Sequence, residues 1–195
     1  MGVEEEFKHF IVLHPYLRTL SKITGLQKFS YRVVESYWLG NDTLLKAKNK
    51  DYPVLLNFFT KQGVPEWFVD ELKTEKPKKF IPTHLFQVLH VGVGRASGSV
   101  PYNLESINNC MIRWGKVEKV NKKTVVVSLN SLKKVKGVYK RTLIKETFPF
   151  VEGFVTDIEV GDTVAVHWKQ IVKILNEEEI KKITYWTNEV LKTVS

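Results

Sequence analysis

The hydrophobic rhythm of this chain changes once, near Cys110, and that change decides what the chain can fold into. Up to about residue 107, apolar residues recur at helical spacing. Leu17, Leu20 and Ile23 follow Pro15 and stop at Gly25, so the pattern predicts a helix opened by proline and closed by glycine. A second helix carries Val33, Val34, Tyr37 and Trp38 and ends at Gly40-Asn41. The segment YPVLLNFFTKQG is apolar nearly all round, which predicts a helix buried on every side. Pro65 opens an amphipathic helix, PEWFVDELK, carrying Trp67, Phe68 and Leu72. After the charged, proline-punctuated connection TEKPKKFIP, Thr83 is placed to cap one more helix, HLFQVLH.

Beyond Cys110 the segments MIRWGKVEKV, TVVVSL, VYKRTLIKE and DTVAVHWKQIVKIL are strand-length and rich in β-branched residues. Asn121-Lys122-Lys123 reads as a hairpin loop, and Val160-Gly161-Asp162 as a tight turn into a strand. Four or five short strands predict a small closed barrel, because closure removes exposed edges. The last segment returns to helix: Asn176 and Glu179 form a capping-box pattern, and Ile180, Ile183, Trp186, Val190 and Val194 make one apolar stripe. The expected class is therefore α+β: a helical domain over residues 1–107, then an OB/SH3-like β-barrel with a C-terminal helix over residues 108–195.

Composition narrows the function classes. A single cysteine excludes an intrachain disulfide framework and, alone, a cysteine-rich zinc site. The acidic start MGVEEEFKHF lacks the basic-then-apolar order of a signal peptide, and its sixth residue is not the Ser or Thr of a myristoylation signal. No apolar run approaches the ~18 residues of a membrane span. The expectation is a cytoplasmic protein with no membrane partner.

The net charge of +9 raises nucleic acid as a partner. The surplus gathers between residues 116 and 145, where Lys119, Lys122, Lys123, Lys133, Lys134, Lys140 and Arg141 stand among other lysines against Glu118 alone. Lysine dominates over arginine and no aromatic interleaving accompanies it, which favours a solvated, edge-protecting face over a phosphate track. A nucleic-acid-binding barrel using this surface is the alternative reading.

Other motifs are weaker. Gly92, Gly94 and Gly98 in HVGVGRASGSVP follow G-x-G-x-x-x-G rather than a dinucleotide fingerprint, with Pro101 where a helix should open, and read as a flexible interdomain connection. His84 and His90 lie six residues apart, hence on different faces of a helix. A ligand role for His84 is the weaker expectation beside that of a polar cap or interdomain contact. Cys110 has Arg113 and Lys116 close in sequence, and such cations favour a thiolate. Strand pairing of the AVHW segment could bring His167 beside it, giving a Cys–His pair suited to soft metals or nucleophilic chemistry. Inert burial is the competing reading of a lone cysteine, and spacing by itself favours it.

The runs CMIRWGKVEKVNKKTVVVSLNSLKKV, KRTLIKE and VGDTVAVHWKQIVKILNEEEIKK resemble the HypC/HupF hydrogenase-formation chaperones over about residues 109–192. The resemblance lies in the order of Cys110, Gly115, Val117, the valines at 125–127, Val160-Gly161-Asp162, Val166-His167 and Glu177-Glu178-Glu179. It implies a non-enzymatic chaperone-like accessory protein for nickel–iron hydrogenase or related metallocentre assembly. Cys110 and His167 would carry a transient iron unit, with no permanent cofactor and with maturation components as protein partners. Arg113, Trp114 and Trp168 would flank that site. Two departures stand out: the family cysteine is at the chain start, whereas Cys110 is internal, and the family's Pro-Gly is Trp114-Gly115 here.

The whole chain also resembles an uncharacterised family of bacterial and archaeal proteins, a domain of unknown function. Its shared stretches correspond here to Val33–Asn41, Pro82–Val88, Cys110–Val117 and Gly161–Trp168. In the second stretch, Thr83 and Gln87 stand where the family has histidines, which argues against a histidine cluster within that stretch.

Overall fold

The computed structural model describes residues 11–149 and 155–194; the acidic amino terminus lies outside them. Helix α1 (Leu13–Thr24) carries Pro15 in its first turn, and Gly25 ends it in the left-handed conformation, φ 74°. Helix α2 (Tyr31–Trp38) follows, and Asn41 then caps a short 3-10 turn by accepting from the Thr43 amide. Helices α3 (Tyr52–Lys61) and α4 (Glu66–Thr74) pack as an antiparallel pair.

Two helical expectations change. Helix α3 buries only Tyr52, Leu55, Leu56 and Phe59, while Pro53, Asn57 and Thr60 face outward. Tyr52, Leu55, Leu56 and Phe59 fall at i, i+3, i+4 and i+7, a single stripe, so a nearly all-apolar sequence still packs on one side. The HLFQVLH segment is a single α turn, α5 (His84–Phe86), capped by Thr83 Oγ1 and continued by a wide π-type turn over Gln87–Gly92.

Helix α6 (Leu104–Cys110) leads into the sheet. Its Asn108 side chain pairs with the Leu132 backbone, donating to the carbonyl at 2.9 Å and accepting from the amide at 2.7 Å. The helix is thereby pinned against strand β2, and with it Cys110.

The strands are β1 (Arg113–Val120), β2 (Thr124–Val135), β3 (Val138–Pro149), β4 (Thr163–His167) and β5 (Gln170–Ile174). They form one antiparallel sheet in the order β3-β2-β1-β4-β5. The loop at residues 121–123 and the turn at Gly161 fall where the turn residues predict them. The barrel does not close: β3 and β5 approach without pairing. Strands β3, of 12 residues, and β5, of 5, remain the two open edges of the sheet. The curled sheet still encloses its own core of Val117, Val125, Val127, Leu129, Phe148, Val164 and Val166.

Helix α7 (Glu177–Leu191) begins with the reciprocal Asn176–Glu179 capping box. Its Ile183 packs with Ile112, Trp114 and Ala165 on the outer sheet face. Trp186, Val190 and Leu191 join the helical core of Tyr16, Tyr37, Phe59 and Phe86, which also takes in Met111 and Leu132. Buried packing therefore runs continuously from the helices into the sheet.

Gly40 marks a close approach in that packing. Its φ is +81°, and a Cβ there would lie 2.3 Å from the Trp186 ring. Gly25 shares the left-handed backbone but has no atom within 4 Å of a Cβ position. Gly40→Ala is therefore expected to cost about 2–4 kcal/mol through backbone strain and overpacking together. Gly25→Ala is expected to cost about 1–2 kcal/mol from strain alone. Urea unfolding of the two variants checks the difference.

Candidate metal centre

Strand register explains how Cys110 and His167 meet. Arg113 pairs with Val166 across β1 and β4, so the residues just before β1 run alongside the end of β4. The Trp168 amide donates to the Asn109 carbonyl at 2.8 Å and fixes that crossing. Because side chains alternate, His167 shares a sheet face with Ala165 and its partner Trp114, the face that meets α2 and α7. Arg113 points to the other face, where its guanidinium meets Glu146 at 2.6 Å and Ser131 at 3.3 Å.

The third member comes from the helices. Capping of α5 by Thr83 turns His84 inward, where it is 5% exposed. His84, Cys110 and His167 then place one ligand atom each within 4.8 Å of one another, the only such group of three found among the described residues. Cys110 Sγ lies 3.8 Å from His84 Nε2. Trp38 lies against both imidazoles, with ring centroids 4.5 Å from His84 and 5.4 Å from His167. The resemblance pointed to Cys110 with His167, while spacing alone favoured an inert cysteine; a ligand role for His84 was the weaker expectation.

His84 has an unusual hydrogen-bonding position. Its Nε2 faces the Cys110 carbonyl oxygen at 2.7 Å, which only accepts. At the other end Nδ1 faces Gln87 Oε1 at 3.0 Å and Tyr37 Oη at 2.9 Å. The single Tyr37 hydroxyl proton can go to His84 Nδ1 or to Gln87 Oε1, which lies 2.7 Å from the hydroxyl. A neutral ring protonated at Nε2 donates to the Cys110 carbonyl and accepts the Tyr37 proton at Nδ1. Burial, with His167 nearby, holds the His84 pKa down at about 3, against the opposing pull of the Cys110 carbonyl and Gln87. The ring is thus neutral at neutral pH.

The other two members are also uncharged at neutral pH. Burial lowers the His167 pKa, with the Cys110 carbonyl opposing, and leaves His167 Nε2 buried without a hydrogen-bond partner. Burial pushes the Cys110 thiol up to about 12, while the Trp168 indole N–H pulls it the other way. This reverses the expectation of a cation-favoured thiolate: Arg113 is engaged by Glu146 on the far face, and Lys116 is exposed.

A groove of about 340 Å³ between α2 and the β4–β5 hairpin has His167 and Trp38 in its wall, with Leu39, Ile112 and Val172. A larger hollow of about 560 Å³ lies between α3 and α4 and contains none of the three cluster residues. The hairpin turn itself is strained. Trp168 and Lys169 both have positive φ, 46° and 63°, in a two-residue turn that favours Asn-Gly. Each bulky residue there costs roughly 1–2 kcal/mol.

The other sequence candidates fall elsewhere. Trp114 is buried beneath the Arg141 guanidinium, 5.2 Å from its ring centroid. His90 bonds Tyr52 Oη at 3.0 Å, away from the cluster. Lys119, Lys122 and Lys123 surround the β1–β2 loop, whereas Lys133, Lys134, Lys140 and Arg141 sit at the opposite end of the β2–β3 hairpin. Ten residues of strand separate the two groups, roughly 30 Å. Arg141 is further committed to Asn130 and Asn188. Tyr37 and Gln87, which hold His84, carried no chemical signal in the sequence.

The chain belongs to a family of unknown function, DUF6390, whose model matches residues 1–195. No curated protein and no solved structure matches it. No described helix is long and apolar enough to cross a membrane.

The depressed imidazole pKa values fix an acid dependence of stability. His84 stays neutral in the fold down to about pH 3, whereas unfolded histidine takes up a proton below about 6.5. Stability from this group is present above about pH 6.5 and lost as pH falls toward 3, by at most about 1.4 kcal/mol per pH unit. The raised thiol acts at the other end, with stability lost as pH climbs from 9 toward about 12. Denaturant midpoints against pH are expected to flatten on the acid side in His84→Gln.

Proposed function

We propose that this DUF6390 member binds one soft transition-metal ion or iron unit at Cys110, His84 and His167 and acts as a non-enzymatic accessory protein in metallocentre assembly. The observation that carries the reading is the grouping of one thiol and two neutral imidazoles with a ligand atom each within 4.8 Å of one another, beside a His167 Nε2 that is buried without a hydrogen-bond partner. A cation bound at Nε2 takes the place of the Cys110 carbonyl there, and the ring proton moves to Nδ1, where Gln87 accepts it. This is the outer-shell arrangement that orients metal-binding histidines.

The donor set fits soft or borderline metals: one thiol that loses its proton on binding, and two imidazoles already neutral. The 3.8 Å separation of Cys110 Sγ and His84 Nε2 is close to the roughly 3.5 Å between ligands of a tetrahedral zinc site. Three protein ligands leave a position for an exchangeable one, which suits transit better than permanent storage. The motif order over residues 109–192 supports placing this work in hydrogenase or related maturation. An internal cysteine has no α-amino group to lend, and His84 supplies the additional ligand from the helical layer instead.

Anaerobic titration of the full chain with Zn²⁺ and Co²⁺ tests the reading. One equivalent is expected to bind, with a thiolate-to-cobalt charge-transfer band that Cys110→Ala removes. Gln87→Leu is expected to weaken binding by about 10–100-fold. Equal affinity and an unchanged band in Cys110→Ala would contradict the assignment.

A further inference from the structure

Arg113 carries more hydrogen-bonding capacity than its surroundings use. The residue is 2% exposed, and its Nη1 is met by Glu146 and Ser131. Its Nε and Nη2 are also buried and meet no acceptor among the described residues. Those two N–H groups lie side by side along one edge of the guanidinium, spaced to hold two oxygens of one phosphate or carboxylate. A buried donor left unmet costs more than an ordinary hydrogen bond yields, so two on one edge mark a place where an acceptor belongs.

The neighbouring side chains select its charge. Strand register sets Ser131 opposite Thr142 and Lys133 opposite Lys140, and the contact of Arg113 with Ser131 places all five on one sheet face. Both lysines are exposed, and neither is paired with a carboxylate among the described residues. Like charges directly opposite on two strands repel, and an anion between them relieves that repulsion. At this end of the face three cations stand against the single carboxylate of Glu146, an imbalance that a dianion meets. The face is also reachable. Strands β3 and β5 do not pair, and along that open seam Ile144 is 39% exposed and the Glu146 side chain 27%.

We propose that the inner sheet face at Arg113 binds a terminal phosphate group: the free edge of the guanidinium takes two of its oxygens, and Lys133 and Lys140 balance its charge from the rim. A terminal phosphate carries about two negative charges at neutral pH. A phosphate within a nucleic-acid backbone carries one charge and a substituent on two sides, so it suits neither the buried edge nor the charge. The site lies on the sheet face opposite to that of His167 and stands independently of the metal reading.

Calorimetric titration of the full chain with inorganic phosphate and with glycerol 3-phosphate, against potassium chloride at matched ionic strength, is the test. One equivalent of phosphate is expected to bind with a Kd below about 1 mM, and chloride is expected not to saturate. Tighter binding of either probe supports the site and tells a phosphomonoester from the free anion. Arg113→Lys keeps the charge but loses the two-pronged edge, and is expected to weaken phosphate at least about tenfold. Because a change at a buried residue can also loosen the fold, the exposed pair Lys133→Gln with Lys140→Gln supplies a second measurement. That variant is expected to bind phosphate about three- to tenfold more weakly at an equal or higher urea midpoint, since a like-charge pair has been removed. Glu146→Gln keeps an acceptor for Nη1 and removes the competing charge, and is expected to tighten phosphate about two- to fivefold. The absence of saturable phosphate binding in wild type overturns the proposal, as does wild-type affinity in both Arg113→Lys and the double lysine variant. An oligonucleotide with a 5′-hydroxyl that displaces phosphate also overturns it, and returns the lysines to the nucleic-acid reading.

Discussion

The contact on which the rest of this molecule depends is the 2.7 Å approach of His84 Nε2 to the Cys110 carbonyl oxygen. It joins the first turn of α5 to the last residue of α6, across 26 residues of sequence, at the point where the helical layer gives way to the sheet. A polar contact there has no water to fall back on, so leaving either partner unmet costs more than the bond itself yields. That asymmetry fixes the imidazole position, and the ring then sets the positions of Trp38, Tyr37 and Gln87 around it. The chemistry of the seam follows from the same dryness. It keeps both histidines neutral and the thiol protonated, a ligand set without charge until a cation enters.

A second buried polar link ties the two ends of the fold together. Glu35 on α2 accepts from Lys182 on α7 at 2.9 Å and from Asn41 at 2.7 Å, joining residues 147 apart. Side-chain exposures of 7% and 25% make this pair different in kind from Arg32–Asp42, which is 54% and 72% exposed. The exposed pair is screened and contributes little. The buried carboxylate is satisfied only while both partners stay in place, so removing one strands its charge. The link clamps α2 against α7 beside the groove that reaches His167, and so steadies one wall of the candidate site.

Much of the local structure was legible because its signals are local. Gly25, the Thr83 cap, the Asn176–Glu179 box and the turns at 121–123 and 161 each depend on a few neighbouring residues, and each appears where its chemistry requires. Closure of the barrel was not legible, because it depends on how far the assembled sheet curls rather than on the character of any one strand. The one-sided burial of YPVLLNFFTKQG was hidden for a related reason: apolar content says what a helix can bury, not what is available to cover it. The pairing of Cys110 with His167 was suggested by resemblance, whereas spacing alone favoured an inert, buried cysteine. The firm place of His84 beside them comes from a contact 26 residues long in sequence, and its holders Tyr37 and Gln87 lie 47 and 3 residues away. No periodicity encodes such a meeting; packing of the helices onto the sheet creates it. The same packing explains why nearby cations fail to ionise the thiol, since alternation along β1 sends Arg113 to the opposite face.

X-ray absorption at the zinc edge, on the full chain loaded with one equivalent of Zn²⁺, tests the central claim most directly. The account predicts one sulfur scatterer at about 2.3 Å and two imidazole nitrogens at about 2.0–2.1 Å. It also predicts loss of one imidazole in His84→Gln and loss of the sulfur in Cys110→Ala. A first shell of oxygen and nitrogen without sulfur, or a shell indifferent to both substitutions, would contradict it.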